Sequence, residues 1–450
     1  MRVLIYGLGR SGLAVARLCH SQGHRLTFYE QREEGDDVRA LLAMGAKRLD
    51  GDQIIADLPV PNICIAAPGV PIDHPHLRAL RSREVETIGE VEWVYRTVPG
   101  EMIGVTGTAG KGTVTRWIAD TLSMAGIDAR AGGNIDPALS EVAEPGATLV
   151  VELSSFQLER CPTLRPGTAV LLNLGSDHLD RHGSIDNYHA AKRNLLAGLG
   201  PRQLFIHNAD DPVLARWARE SNSRTSGFSV AGEAAAWLSS GGVLHLGESP
   251  LLHADELQVS GRHHLANALA VALACREQGL DLDEIRAGLA GFTGLPGRYS
   301  AAGRVGDVRF IEDSIATRTL SVAAALAATP APIVWIAGGQ SKGADVHELE
   351  DLIRERVRLF IGIGESGPGL RETVGQWVPS HLCVERDGSA ALRCAVRAAL
   401  QHLKAHSPLG GTVLLAPLAA SFDQFRDYRE RADAFRAVVR AEEQAWTLSS

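Results

Sequence analysis

A glycine-rich stretch at residues 104–113, GVTGTAGKGT, carries residue types that hold the phosphates of a nucleotide. It lies between an apolar segment and a helical one, so backbone N–H groups, a helix N-terminus and one lysine converge there. Gly110 and Lys111 match the end of the phosphate-loop pattern G-x-x-x-x-G-K-[ST]. The stretch predicts a phosphate site, and a structural turn is the alternative.

Two positions of this stretch depart from the general pattern. Val105 stands at its first glycine, and Gly112 stands where the magnesium-binding hydroxyl belongs. Glycine has no side chain with which to bind a metal ion, whereas Thr113 and Thr115 carry hydroxyls nearby. We expect one of these two threonines to replace the missing hydroxyl.

A second glycine motif lies near the N-terminus. Gly7, Gly9 and Gly12 form G-x-G-x-x-G directly after the apolar segment RVLIY, and Glu30 ends the next predicted strand. This is the context of a dinucleotide fingerprint, in which glycines let the backbone approach a phosphate at a helix N-terminus. The residues leave three interpretations open: NAD or FAD, another phosphate ligand, or a structural turn.

Carboxylates and histidines follow the apolar strands of the middle part. Glu152 lies near the end of ATLVVEL, where a charge is costly unless it has a partner. Binding Mg²⁺ resolves that cost, and an ion pair with a basic side chain is the alternative. The loop after the next strand offers oxygen and imidazole groups suited to a second divalent ion. Its candidates are Asp177, His178, Asp180 and His182.

The last third of the chain carries further candidates for anion binding. Arg298 lies in GLPGRY, and Lys342 lies in the glycine-rich loop GGQSKGAD. Each is able to bind a phosphate or carboxylate, and a surface turn is the alternative for both. Ser421 and Gln424 have the spacing of a capping box, which predicts that the last helix begins at residues 420–425.

Composition excludes several classes of protein. The 450 residues carry a formal charge of −8 without a basic stripe, which disfavours a nucleic-acid binder. The six cysteines form no C-x-x-C pair, so we expect reduced thiols and neither disulfides nor a zinc site. The sequence contains no apolar run approaching about 18 residues and begins directly as a strand, so we expect no membrane insertion and no signal peptide.

Predicted strands and helices alternate in three stretches, which indicates an α/β fold with three domains. Segments such as RVLIY, ATLVVEL and PIVWIAGG are typical of buried parallel strands. Helices are predicted at 113–125, 187–199 and 264–277. The predicted domains are 1–99, 100–298 and 299–450.

The order of these motifs along the whole chain resembles that of the Mur ligase family. The matching segments are GVTGTAGK (104–111), GGNI (132–135), ELSSFQL (152–158), DHLDRHG (177–183), AAK (190–192), NALA (267–270), FTGLPGR (292–298), KGAD (342–345) and SFDQF (421–425). ELSSFQL, KGAD and SFDQF are similar to the branch of the family that adds D-glutamate, not alanine or a diamino acid.

The resemblance implies a Rossmann-like N-terminal domain, a P-loop ATPase-like central domain and a Rossmann-like C-terminal domain. It implies an ATP-dependent ligase that adds D-glutamate to UDP-N-acetylmuramoyl-L-alanine through an acyl phosphate, in peptidoglycan precursor synthesis in the cytoplasm. The expected ligands are ATP, two Mg²⁺ ions, the UDP-linked substrate and D-glutamate, and the chain is expected to be a monomer. The N-terminal glycine motif would then hold a uracil nucleotide instead of NAD.

The resemblance also implies roles for the matching residues. Those implied for ATP are Gly107, Thr108, Gly110, Lys111, Gly112, Thr113, Asn267, Arg298 and Asp313. Those implied for metal ions are Thr113, Glu152, His178 and Lys192, the last matching a lysine that the family carbamylates. Those implied for the UDP-linked substrate are Gly9, Arg10, Ser11, Gly12, Glu30, Arg32, Gly69, Asn134 and Ser154. Those implied for D-glutamate are Thr317, Lys342, Ser421, Phe422 and Tyr428. The implied catalytic set is Lys111, Glu152, His178, Lys192 and Lys342.

Three departures from the family pattern accompany the resemblance. Gly112 replaces a serine or threonine, DSIATR with Ile315 and Arg318 replaces D-S-K-A-T-N, and APLAAS replaces SPACAS. Related folate polyglutamating ligases carry Gly-Lys-Gly-Ser in this loop, so Thr113 is the expected hydroxyl. The alternative functions are an NAD-dependent oxidoreductase and a nucleotide-binding homologue without activity.

Overall fold

The structure is a computed structural model that describes residues 1–32, 34–49, 60–259, 261–295, 297–341, 343–407 and 409–449, with Asp180, Leu320 and Ser449 described by their backbone alone. The chain divides into two compact units, Met1–Leu257 with His263–Gly291, and Gln258–Arg262 with Phe292–Ser450. The described strands form three sheets, two of them in the first unit, which confirms the α/β class. None of the described helices is long and apolar enough to cross a membrane.

The first sheet is wholly parallel, with strand order β3-β2-β1-β4-β5. Its strands are β1 (Arg2–Tyr6), β2 (Arg25–Tyr29), β3 (Lys47–Leu49), β4 (Ile63–Ala66) and β5 (Glu86–Ile88). The accompanying helices are α1 (Gly9–Ser21), α2 (Asp36–Ala43), α3 (Pro75–Ser82) and α4 (Glu90–Thr97). The predicted glycine motif thus connects β1 to α1 at the carboxyl edge of the sheet, where open α/β sheets bind ligands.

The second sheet has nine strands in the order β14-β13-β12-β11-β10-β9-β6-β8-β7. Its strands are β6 (Met102–Thr106), β7 (Ala129–Gly133), β8 (Thr148–Glu152), β9 (Thr168–Leu171), β10 (Leu204–Asn208), β11 (Arg224–Ser229), β12 (Ala236–Leu238), β13 (Val243–Leu246) and β14 (Ser249–His253). Its α-helices are α5 (Lys111–Met124), α6 (Leu139–Val142), α7 (Ser155–Leu158), α8 (Leu179–His182), α9 (Ile185–Arg193), α10 (Pro212–Glu220), α11 (Arg262–Glu277) and α12 (Leu282–Gly291). Because β9, β6 and β8 are neighbours, the loops that follow them meet at one edge.

The third sheet has the order β15-β16-β20-β17-β18-β19, and only β15 runs antiparallel. Its strands are β15 (Ser300–Val305), β16 (Val308–Glu312), β17 (Ile333–Gly338), β18 (Val357–Ile363), β19 (Ser380–Leu382) and β20 (Gly411–Leu415). Its helices are α13 (Thr319–Ala328), α14 (Glu350–Arg356), α15 (Gly367–Val374), α16 (Gly388–His406) and α17 (Tyr428–Ser449). Strand β17 is buried along its whole length, as expected for a parallel strand covered on both faces.

Most predicted strands and helices are confirmed, but the prediction does not include β3, β5, β7, β11 or β12–β15. Strands β12, β13 and β14 form an antiparallel extension of the second sheet, and β15 pairs with β16. The extension has short strands joined by turns at Gly241–Gly242 and Gly247, dipeptide signals typical of hairpins. The domain boundaries after residues 99 and 298 remain predictions.

The predicted start of the last helix is wrong. Helix α17 begins at Tyr428, and residues 421–427 form turns. Two side chains of this segment bind other loops. Asp423 Oδ2 accepts the N–H of Glu365 at 2.8 Å, and Gln424 Nε2 donates to the carbonyl of Glu385 at 3.1 Å. No helix begins at Ser421, so Ser421 and Gln424 do not form a capping box there.

The expectation that every cysteine is a reduced thiol is also wrong for one pair. Cys383, next to the end of β19, is bonded to Cys394 of α16, with their Cα atoms 6.0 Å apart. The other four cysteines are free and buried. Sequence spacing did not indicate this pair, because the two cysteines belong to no motif. The fold brings them together by packing a sheet edge against a helix.

The turn after β1 generates a prediction about stability. A Cβ atom at Gly12 would lie 2.2 Å from the carbonyl oxygen of Gly7, far inside van der Waals contact. We expect Gly12→Ala to destabilise the first unit by about 2–3 kcal/mol, as other overpacking substitutions do. Gly69→Ala is the matched control, since a Cβ there meets nothing within 4 Å. Thermal unfolding with equal midpoints for the two variants would contradict this account of the turn.

Candidate active site

The glycine-rich loop joins β6 to α5 and has the backbone of a phosphate nest. Gly110 has φ of +83°, a left-handed conformation that glycine adopts readily, and α5 begins at the next residue. The first N–H groups of a helix lack partners within the helix and are able to bind an anion. Asn267 of α11 lies against this turn, because a Cβ at Gly110 would be 2.9 Å from its Oδ1 atom.

Asn173 fixes the preceding part of the loop and is absent from the sequence-based site. Its Oδ1 atom accepts the N–H groups of Thr108 and Ala109 at 3.1 and 2.9 Å, and its Nδ2 atom donates to the carbonyl of Ala109 at 3.1 Å. Asn173 follows β9, the strand beside β6. The sequence NLGSDH shows an asparagine at the end of a strand, which is a signal for a functional side chain. The sequence does not show that this asparagine contacts the loop at residues 108–109.

Two lysine amines converge on one carbonyl oxygen of the loop. Lys111 Nζ donates to the carbonyls of Gly107 and Thr108 at 3.1 and 3.0 Å, and Lys192 Nζ donates to the same Gly107 carbonyl at 2.7 Å. Lys192 also lies over the ring of Tyr188, with its Nζ atom 4.6 Å from the ring centre. The hydroxyl of Tyr188 donates to Thr108 Oγ1 at 3.3 Å, so the same residue supports both sides of the loop.

Lys192 is only 1% exposed, and its charge is strongly disfavoured. Burial lowers the pKa of Lys192 to about 7, and the positive charge of Lys111 adds to the shift. The carboxylates of Asp177 and Glu152 oppose it without reversing it. Near neutral pH a substantial fraction of the molecules therefore carries a neutral, nucleophilic amine at this position.

Glu152 ends β8 and has one carboxylate oxygen without a hydrogen-bond partner among the described residues. Its Oε1 atom accepts from Asn134 Nδ2 at 2.8 Å, and its Oε2 atom is buried and unsatisfied. Leaving a buried carboxylate oxygen unsatisfied is costly, and a cation would remove that cost. Thr113, also buried, lies in the first turn of α5, and Gly112 beside it is buried. The donor set of carboxylate and hydroxyl oxygens suits Mg²⁺.

His178 adopts a backbone conformation that is rare for a residue with a side chain. Its φ of +53° lies in the left-handed region, which costs about 1–3 kcal/mol and often marks functional sites. The imidazole lies beside the carboxylate of Asp177 at 3.4 Å and beside the ring of Phe156, with ring centres 4.8 Å apart. Ser154 caps α7 in a capping box with Gln157. The loop after β9 and the start of α7 thus meet at His178.

The N-terminal candidates surround the turn between β1 and α1. Glu30 Oε2 accepts the N–H of Leu8 at 2.9 Å, and its Oε1 atom accepts from Arg32 Nε at 3.2 Å. Burial alone would raise the pKa of Glu30, but the bonds from Arg32 and from the backbone lower it below its usual value. Gly9 has φ of +25°, and Ser11 is half-buried in the first turn of α1.

Arg10 extends from this turn to the second sheet of the same unit. It donates to the carbonyl of Asn134 at 3.0 Å and forms an ion pair with Asp136 at 3.5 Å. The structure therefore joins the N-terminal glycine motif to Asn134, and through Asn134 to Glu152. Gly69 lies in the turn after β4.

In the second unit, Asp313 follows β16 and is 8% exposed. Burial raises the pKa of Asp313 to about 7, and the neighbouring Glu312 adds to the shift, while the Tyr299 N–H and Arg298 oppose it. Tyr299 donates its backbone N–H to Asp313 Oδ1 at 3.2 Å. Arg298 belongs to this second unit, and Thr317 lies in the loop between β16 and α13.

Three further candidates of the second unit follow β20. Ser421 is buried, Phe422 is exposed, and the ring of Tyr428 packs against Gly297, where a Cβ would lie 3.1 Å from it. Lys342 lies outside the described residues.

Arg431 ties together two loops of the second unit and is another residue that the sequence did not reveal. The buried guanidinium donates to the carbonyls of Ser314, Ala419 and Ala420 at 2.8, 3.2 and 3.3 Å. Burial lowers its pKa to about 10. These bonds hold the loop that carries Thr317 next to the segment that leads to Ser421.

Family models and known relatives match this chain over most of its length. The family model for the Mur ligase middle domain matches residues 105–275. The family model for the Mur ligase MurD-like, N-terminal domain matches residues 1–89. A protein of Thermus thermophilus is 43% identical over 448 residues, covering 99% of both chains, and one of Deinococcus radiodurans is 41% identical, covering 98% of this chain and 92% of that one. Both are named UDP-N-acetylmuramoylalanine–D-glutamate ligase.

The chain belongs to the Mur ligase family. The crystal structure of the UDP-N-acetylmuramate-alanine ligase from Thermotoga maritima has the same fold, with a TM-score of 0.60 at 20% identity, covering 98% of this chain and 99% of the other. Family membership confirms the resemblance drawn from the motifs and leaves the oxidoreductase alternative without support.

The structure locates two of the positions at which the sequence departs from the Mur ligase pattern. Gly112 is the second residue of α5, and Ile315 lies in the loop held by Arg431, with 36% of its side chain exposed. An isoleucine at this position adds no charge to that loop.

The environment of Lys192 predicts how stability depends on pH. Between about pH 7 and pH 10.4 the unfolded chain holds a proton on this amine that the folded chain has lost. The unfolding free energy therefore rises with pH in this window through Lys192, by up to about 1.4 kcal/mol per pH unit. Lys192→Met lacks this dependence. The unfolding free energy of the wild type, relative to that of the variant, should therefore increase as the pH rises.

Urea unfolding at several pH values in CO₂-free buffer measures this difference. Lys47→Met is the matched control, because Lys47 is exposed on β3. Its difference from the wild type should not change with pH. Parallel curves for the wild type and Lys192→Met would contradict a lowered pKa at Lys192.

Proposed function

We propose that this Mur ligase uses ATP to join D-glutamate to UDP-N-acetylmuramoyl-L-alanine in peptidoglycan precursor synthesis. The observation that carries the proposal is a nucleotide loop with two convergent lysines, in a chain that aligns end to end with ligases of that name. In this proposal the reaction occurs in the cytoplasm, where ATP is available. The enzyme acts as a monomer in this proposal.

The reaction has two steps in which every bond is accounted for. The alanine carboxylate of the UDP-linked substrate attacks the γ-phosphorus of ATP, forming an acyl phosphate as the bond to ADP breaks. The amine of D-glutamate then attacks the acyl carbon, phosphate leaves, and the nitrogen loses a proton to give the amide. The first step brings an anion to a polyanion, so it requires cations and exact alignment of the reactants.

The nucleotide loop meets that requirement with groups of this chain. Gly107, Thr108, Gly110 and Gly112 shape the nest, and Lys111 is placed to contact the β- and γ-phosphates. Asn267 lies against the loop, and in this proposal it would contact the nucleotide. Arg298 and Asp313 are also assigned to ATP in this proposal.

Magnesium fits the residues at the loop. The buried, unsatisfied Glu152 Oε2 atom and the hydroxyl of Thr113 would hold one ion, and His178 with Lys192 would hold a second. Bound Mg²⁺ neutralises phosphate charge and orients the transferred phosphoryl group. Asn134 positions the Glu152 carboxylate by occupying its other oxygen.

Lys192 is a metal ligand in this proposal only after its amine is modified. A neutral amine attacks CO₂, forming a C–N bond and releasing one proton, so that a cation becomes a carboxylate-like carbamate. The lowered pKa of Lys192 supports this step because it provides the neutral amine near neutral pH.

The two substrates occupy separate sets of residues in this proposal. Those for the UDP-linked substrate are Gly9, Arg10, Ser11, Gly12, Glu30, Arg32, Gly69, Asn134 and Ser154. Those for D-glutamate are Thr317, Lys342, Ser421, Phe422 and Tyr428. The bond from Arg10 to Asn134 supports the first set, because it links the β1–α1 turn to the metal-binding strand end.

A four-component assay tests the proposed reaction. Phosphate release should require ATP, Mg²⁺, UDP-N-acetylmuramoyl-L-alanine and D-glutamate together, and omission of any one should reduce it to background. L-Glutamate is the matched control for the amino acid. Equal turnover with L-glutamate would contradict the substrate assignment, and no turnover with any amino acid would identify a homologue without activity.

The hydroxyl that replaces the one absent at Gly112 is tested at Thr113. Thr113→Ala should lower turnover by about 100-fold, because an oxygen that supports phosphoryl transfer is lost. Thr113→Ser keeps the hydroxyl and should stay within about tenfold of the wild type. Mg²⁺ titration should show a higher requirement for Thr113→Ala, whereas equal activity of both variants would show that another group serves the ion.

A further inference from the structure

A group of potential metal ligands lies in the second unit, at the edge of the third sheet. His381 is in β19, Cys383 comes directly after that strand, and Cys394 is in α16. One ring nitrogen and the two sulfur atoms all lie within 4.8 Å of one another. Alternate residues of an extended chain point to the same side, so His381 and Cys383 face Cys394 together.

The two sulfur atoms are bonded to each other in the structure. A dithiol reductant reduces such a bond by exchange: the protein gains two protons and two electrons and forms two thiols, while the reductant becomes a disulfide. Each thiol then loses a proton to become a thiolate, which is the form that binds metal ions.

The reduced group has the composition and spacing of a metal site. In a tetrahedral zinc site, sulfur lies about 2.3 Å and nitrogen about 2.0–2.1 Å from the ion, which places the ligand atoms roughly 3.6–3.8 Å apart. Separations within 4.8 Å reach this value through side-chain rotation. Two thiolates and an imidazole select a soft or borderline divalent ion over Mg²⁺.

The surroundings would draw a cation to this group. A cavity of about 430 Å³ is lined by Cys383 and by the carboxyl-bearing residues Glu365, Glu385 and Asp423, with Arg386 as the one cation among its lining residues. Glu385 Oε2 and Asp423 Oδ1 are buried without hydrogen-bond partners in the described part of the chain. Cys383 is 3% exposed and His381 is exposed, so the group lies at the boundary between core and solvent.

We propose that His381, Cys383 and Cys394, once the cysteines are reduced, bind a divalent ion of the zinc class. The three side chains fill three positions of a tetrahedron, and water fills the fourth on the exposed side of His381. The site holds the end of β19 to α16 in the reduced chain, as the sulfur–sulfur bond does in the oxidised chain.

Cobalt titration of the reduced full-length protein tests the proposal. After reduction with a dithiol and anaerobic desalting, thiol titration in denaturant should show two more thiols than in the oxidised protein. Co²⁺ should then bind with one equivalent, produce a thiolate-to-cobalt charge-transfer band, and be displaced by Zn²⁺. Cys383→Ser and Cys394→Ser should lose this band, and His381→Ala should weaken cobalt binding by at least about tenfold.

The control variant is His402→Ala. His402 and His406 are stacked on α16 with ring centres 4.5 Å apart and are able to bind a metal ion without sulfur. His402→Ala should keep the charge-transfer band. Because His381 is exposed, His381→Ala should melt like the wild type and reports on the site even where a serine variant fails to fold.

Three results would overturn the proposal. One is a pair that resists reduction in the folded protein, and another is a reduced protein that gives no charge-transfer band. The third is a band that persists in Cys383→Ser.

Discussion

The carbonyl oxygen of Gly107 receives two lysine amines, and the chemistry of the nucleotide loop depends on this convergence. The amines of Lys111 and Lys192 each lie about 3 Å from that oxygen, so they are no more than about 6 Å apart. At an effective dielectric constant of about 20, two such charges repel by about 3 kcal/mol, roughly two pKa units. Burial and this repulsion act together to lower the pKa of Lys192, and burial is the larger cause. The lowered pKa makes a neutral amine available for modification at Lys192.

The fold delivers these groups because three neighbouring parallel strands end at one edge. Strand β6 leads into the loop, β8 ends at Glu152, and β9 leads to Asn173 and on to His178. Parallel sheets gather such ends, and the apolar strands behind them provide a rigid support. Asn173 and Asn267 then contact the loop from two other elements.

Local patterns of the sequence predicted most of the buried parallel strands, the glycine turns and the side chains placed directly after strands, because each depends on a few consecutive residues. The clamp by Asn173, the bridge by Arg431 and the bond between Cys383 and Cys394 depend on residues distant in sequence, so no local pattern indicated their partners. The capping box predicted at Ser421 is wrong because no helix begins there and α17 starts at Tyr428. The capping geometry occurs at Ser154 instead.

The central claim is that the Lys192 amine is neutral near physiological pH and reacts with CO₂. Carbon-13 NMR of the protein equilibrated with ¹³C-bicarbonate tests it most directly, with Lys192→Met as the reference. The account predicts one carbamate resonance in the wild type that is absent from the variant and disappears on acidification. A spectrum of the wild type without that resonance, or a resonance that persists in Lys192→Met, would contradict it.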